Sequence, residues 1–178
     1  MQKKFSVRDL CYISLFATLI AVSGYIIIPL PFSTVPVTAQ TLAIMLAGGL
    51  LPPAHAAISV LVFLMMGAVG IPVFAGGAAG LGIILGKTGG YLLGFLVGAV
   101  FISFTKGHKP SFLRLLTVYT TGGIVLVYAF GVLWLAQVTG MDMGKAFVFG
   151  AIPFIPGDIA KILIAAVITL KLNGHIKL

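Results

Sequence analysis

Glutamate is missing from this chain, and the only acids are Asp9, Asp142 and Asp158. That poverty excludes enzyme classes. A zinc protease of the HExxH type needs a Glu and a His pair at i,i+4, and the chain has neither. An aspartyl dyad inside a membrane needs two acids at depth, and only Asp158 qualifies. A single cysteine, Cys11, cannot close an internal disulfide. Charge of either sign is scarce: 8% of 178 residues, against about 25% in soluble domains. No Asp, Glu, Lys or Arg occurs between Leu10 and Gly86. A spanning helix takes about 20 apolar residues, so that run alone holds three. With 60% hydrophobic residues the chain cannot clothe a water-facing surface. It reads as an all-α integral membrane protein, one domain over residues 1–178, with no soluble catalytic domain. The net charge of +8 does not mark a nucleic-acid binder, because the cations flank apolar segments and form no stripe.

Six apolar segments can be drawn, over residues 9–28, 38–51, 54–70, 89–105, 113–139 and 146–171. The run after Arg8 is longer than the 7–15 residues of a signal-peptide core, so the first segment is expected to be a retained helix. The second is short for a crossing; it either begins within the Pro-rich stretch before it or lies tilted. Six spans place both termini on one side. That side collects Lys3, Lys4, Arg8, Lys106, Lys109, Arg114, Lys171 and Lys177, against Lys87 and Lys145 in the opposite loops. The excess of cations marks the termini as cytoplasmic and the protein as a multi-pass protein of the cell membrane. Three Ile-Pro pieces, "IPLPF" (28–32), "IPVF" (71–74) and "IPFIP" (152–156), then fall on the outer side. Pro interrupts helical hydrogen bonding. Broken backbone at membrane depth survives where it is buried in protein or lines a cavity, so a pocket opening outward is expected.

Asp158 and Lys161 lie inside the last segment, three residues apart and so on one helical face. Lys161 is ten residues, or about 15 Å of helical rise, from Lys171, which sets the pair well inside the membrane. Buried charges there must find partners. A structural ion pair satisfies that need. So does a polar ligand that completes the set, such as a cyclic urea, an amide or a zwitterion, because a carboxylate accepts N–H and an ammonium donates to oxygen. "GLGIILGKTGGY" (80–91) contains Gly-Lys-Thr, but the phosphate-loop spacing fails, since position 81 is Leu. It reads as a flexible loop at the pocket. Lys87 in it is either an attractor for an anionic group or a solvated lysine, and Tyr91 either stacks on a ligand or anchors at the interface. Ala17 and Ala21 repeat small residues at spacing four, which permits close helix approach to another subunit or within the chain. His55, His108 and His175 lack metal-ligand spacing and read as interfacial; no metal site is expected. Trp134, Tyr119 and Tyr128 read as bundle or belt aromatics.

Three stretches, "IPLPFSTVPVTAQTLAIMLAGGLL", "GAVGIPVFAGGAAGLGIILGKTGGYLLGF" and "IPFIPGDIAKILIAA", closely resemble the biotin-specific substrate-binding (S) components of energy-coupling factor transporters, the BioY family. The resemblance runs in order over nearly the whole chain. It implies a six-helix protein that binds biotin from outside, is not an enzyme and carries no cofactor, biotin being cargo. It also implies three partners: a transmembrane coupling subunit and two cytoplasmic ATPases. By the same resemblance Asp158 and Lys161 hold the ureido ring, with Phe74, Gly76, Gly77 and Tyr91 in the binding segments. Ala17 and Ala21 correspond to the small residues that face the coupling subunit. The family commonly has Pro where this chain has Lys87, and a polar or basic residue where it has Ala78 and Ala79. Lys87 is therefore the candidate for the biotin carboxylate.

Overall fold

The structure is a computed structural model that describes residues 6–29 and 35–174. Lys3, Lys4, His175 and Lys177, and residues 30–32 of the first Ile-Pro piece, lie outside the described residues. Helix α1 (Val7–Ser23) starts at a capping box: Ser6 Oγ accepts from the Asp9 amide (3.2 Å) and Asp9 Oδ2 accepts from the Ser6 amide (2.7 Å). A ribbon of two short antiparallel strands follows, β1 (Ile27–Ile28) and β2 (Val37–Thr38), with Ile27 opposite Thr38. It corrects the all-α expectation in this one place. The chain is otherwise mostly helical: α2 (Gln40–Leu50), α3 (Pro53–Ala68), a short α4 (Leu81–Ile84), α5 (Gly89–Thr105), α6 (Phe112–Tyr119), α7 (Leu126–Thr139), α8 (Met143–Gly150) and α9 (Ile155–Leu172).

The short second segment is resolved by its place in the bundle. Helix α2 is 11 residues long, about 16 Å of rise, and cannot cross a bilayer core of about 30 Å by itself. The β1–β2 ribbon continues it. Helix α2 packs against α1, α5 and α9 and is buried almost throughout, from Ala43 to Leu50. Among the described residues, two helical runs are long and apolar enough to cross a membrane, Phe112–Thr139 and Met143–Leu172. The first passes through a π-helical stretch, Thr120–Val125, where Gly122 and Gly123 are buried. Close approach explains one of these glycines: a Cβ on Gly122 would lie 2.5 Å from Ile102 Cγ1 and 3.1 Å from the Gly98 carbonyl oxygen, both on α5. The second run bends at Ala151 (φ −130°, ψ −55°), just before the "IPFIP" piece.

The outer surface is rich in exposed Leu, Ile, Val, Met and Phe, among them Leu15, Met65 and Phe104. Such a coat needs an apolar surround. Helix α1 corrects one expectation. Ala17 and Ala21 are 1% and 7% exposed, on the face of α1 that packs against α3 and α2. Small residues did mark close approach, but the partner is the chain's own bundle. The face left open carries Cys11, Ser14, Leu15, Thr18, Leu19 and Val22.

Candidate ligand-binding site

Asp158 sits in the first turn of α9, Thr41 in the first turn of α2, and Tyr128 just after the π-helical stretch, at the start of α7. Two helix N-termini thus converge on one carboxylate, where their dipoles favour negative charge. Asp158 is 1% exposed. Its Oδ1 accepts from Lys161 Nζ (2.6 Å) and from Thr41 Oγ1 (3.1 Å), and Lys161 Nζ also donates to Thr41 Oγ1 (2.9 Å). The Tyr128 hydroxyl donates to Asp158 Oδ2. The cost of burying a charge here is met by an opposite charge and two hydroxyls.

Counting donors and acceptors shows what the cluster still offers. An ammonium has three N–H donors and two are used; a carboxylate has about four acceptor positions and three are used. One strong donor on Lys161 and one acceptor position on Asp158 Oδ2 remain, side by side. That pair matches a ligand presenting N–H beside C=O, the pattern of an amide or a cyclic urea.

Both residues line a cleft of about 590 Å³ that is open to solvent. Its other walls are largely apolar: Val35, Phe74, Ile83, Leu92, Phe95, Val127 and Phe154. Such a lining with a few convergent polar groups is typical of small-molecule sites. Phe74 stands edge-on to Phe63, with ring centroids 5.5 Å apart, and fills the space beside Gly67, where a Cβ would meet its ring at 2.0 Å. Tyr91 is buried, and its hydroxyl donates to the Gly150 carbonyl (2.7 Å). Gln40 is buried at the cleft, and its amide nitrogen donates to Val73 O (3.3 Å) and Ile20 O (3.5 Å). It ties α1, α2 and the loop after α3 together.

Of the residues singled out in the sequence, Asp158, Lys161, Phe74 and Tyr91 meet in the cleft. Gly76 and Gly77 do not line it. They form a 3₁₀ turn with φ +68° and +78°, a backbone that side chains resist, and this turn holds the lining residue Ala75 in place. The Gly76 amide donates to Gly24 O (2.9 Å), fastening the turn to the end of α1. Lys87 is exposed and outside the lining, although the next residue, Thr88, lines the cleft. The Gly-rich loop is pinned by Trp134, whose indole N–H donates to Gly86 O (2.9 Å). Thr41, Tyr128 and Gln40 are the participants that sequence reasoning missed. Gln40 carried a signal: no other Gln or Asn lies between Gln2 and Gln137. Among the described residues no cluster of His, Cys, Asp or Glu could hold a metal.

The chain is similar over most of its length to known proteins. A 41% identical relative, covering 92% of this chain and 91% of that protein, is the biotin transporter BioY of Rhizobium etli. A probable biotin transporter BioY of Pyrococcus horikoshii is 36% identical, covering 94% of this chain and 98% of that protein. A crystal structure of the S-component for biotin from an ECF-type ABC transporter superposes with a TM-score of 0.87 at 31% identity, covering 94% of this chain and 92% of that one. Residues 1–177 match the BioY family, and with that match, these relatives and the shared fold, the chain belongs to the BioY family.

Proposed function

We propose that this protein is the membrane subunit that binds biotin for uptake, the S component of an energy-coupling factor transporter. The observation that carries the reading is the Asp158–Thr41–Lys161–Tyr128 cluster, with one acceptor and one donor left over at an apolar cleft. Biotin's ureido ring presents N–H beside C=O, and its thiophane ring and valeryl chain suit Phe74, Phe95 and Phe154. In this reading Asp158 and Lys161 bind the ring, with Thr41 and Tyr128 holding them in position. Phe74 and Tyr91 form the walls, the Gly76–Gly77 turn shapes the rim, and Lys87 stands at the mouth for the carboxylate.

The protein is a carrier subunit rather than an enzyme, and biotin is its cargo. It sits in the cell membrane with six spans: α1, the ribbon with α2, α3, α5, α6–α7 and α8–α9. Both termini are cytoplasmic, so the cleft faces outward. The chain has no nucleotide-binding motif, and energy comes from a coupling subunit and two ATPases. Radiolabelled biotin bound to the purified protein in detergent should be saturable and displaced by desthiobiotin, which keeps the ureido ring. It should not be displaced by thiamine or riboflavin. Saturable binding of one of those vitamins without binding of biotin would overturn the reading.

A further inference from the structure

A second cavity, of about 850 Å³ and likewise open to solvent, lies at the other end of the bundle, one length of α5 away from the cleft. Its walls are the α2–α3 corner (Pro52, Pro53), the end of α5 (Ser103, Lys106), the following His108, and Asn173 after α9. Lys106 Nζ donates to the Leu51 carbonyl (2.7 Å), which also accepts from Ser103 Oγ (2.5 Å). That carbonyl's two lone pairs are thereby filled, while the ammonium has used one of its three donors.

Among the described residues no carboxylate pairs with Lys106. The sequence holds three carboxylates. Asp9 is taken by Ser6 and His55, Asp142 caps α8 through the Gly144 amide, and Asp158 belongs to the ligand cleft. Burial accordingly pulls the pKa of Lys106 down to about 8. Leaving a part-buried cation uncompensated is costly, so an anion from outside the chain would relieve it. The surroundings say what carries that anion. Arg114 is fixed nearby by two bonds to Thr105 O (3.0 and 2.8 Å). Beside these cations Phe104 and Leu113 are each 70% exposed. Cations in a polar cavity next to bare apolar side chains at a membrane boundary suit a headgroup with acyl chains attached.

We propose that this cavity binds the phosphate of an acidic phospholipid, with Lys106 as its principal contact, His108 and Asn173 at the rim, and the acyl chains over Phe104 and Leu113. The proposal requires the protein to be membrane-embedded but not that its cargo be biotin. The test uses the whole protein in nanodiscs of phosphatidylcholine, into which phosphatidylglycerol is introduced, with thermal unfolding and native mass spectrometry of retained lipid as readouts. The wild type should retain phosphatidylglycerol at least tenfold over phosphatidylcholine and gain several degrees of thermal stability from it. Lys106→Met should cut the preference to within about twofold and abolish the gain. The readout is the lipid-dependent increment, so a change in basal stability does not confuse it. Lys145→Met, at the opposite end, should behave as wild type. A preference unchanged in Lys106→Met, the absence of any preference, or an equal gain from inorganic phosphate alone would each overturn the proposal.

Discussion

Replacing Lys161 with Met keeps the apolar stem and removes the ammonium. Asp158 then stays 1% exposed, with only the Thr41 and Tyr128 hydroxyls to hold its charge. Breaking one side of a buried pair typically costs about 3–5 kcal/mol of stability. The two hydroxyls that remain place this site toward the lower end. Binding loses one charge-assisted hydrogen bond to the ligand carbonyl, about 1.5–3 kcal/mol, which is about tenfold to a hundredfold in Kd. Adding Asp158→Asn separates the two losses. The double variant carries no buried charge at the cluster, so its thermal stability should recover much of what Lys161→Met lost. Its biotin affinity should not recover, because donor and acceptor are now both wrong. Thermal unfolding and calorimetry on the same preparations measure this. A double variant that regains both stability and wild-type affinity would show that the pair is scaffold and that the ligand is read elsewhere.

Thr41→Val removes the hydroxyl that bridges both charges. It should weaken biotin binding by about tenfold, as one hydrogen bond to a charged group implies, when measured by equilibrium binding. Ala17→Leu adds volume at a 1% exposed position and should cost about 1–3 kcal/mol through overpacking. Ser14→Leu on the open face of α1 should leave unfolding temperature unchanged, and a co-purification assay will show whether that face meets the coupling subunit. Lys106 has a folded-state pKa near 8 against 10.5 for an ordinary lysine. Between those values the unfolded chain binds more protons, so stability should rise with pH from about 8 to about 10.5 and level off beyond. Unfolding in neutral detergent should show the rise, and Lys106→Met should flatten it.

Charge against an apolar background made Asp158 and Lys161 legible in the sequence, because lipid tolerates such residues only with partners. Thr41 and Tyr128 gave no such warning. A hydroxyl fits an apolar helix without distress, and their meeting with Asp158 spans 117 and 30 residues of chain. Helix α5 runs over Gly89–Thr105, the segment read from hydropathy, since a Gly-rich loop and Lys106 bound it sharply. The ribbon was hidden because its strands have two residues each, too few for a periodic pattern to declare itself. Spacing four at Ala17 and Ala21 reported that something approaches α1 closely. It could not report what, since a neighbouring helix and a separate subunit ask the same of a small side chain.

If Lys161 donates to the ureido carbonyl, a change of ligand paired with a change of residue will expose that bond. Calorimetry would compare biotin with 2-thiobiotin, in which the ureido C=O becomes a poorly accepting C=S of similar shape, on the wild type and on Lys161→Met. The wild type should lose about tenfold on the exchange, about 1.4 kcal/mol, and Lys161→Met no more than about twofold. An equal loss on both proteins would mean that Lys161 does not touch the carbonyl.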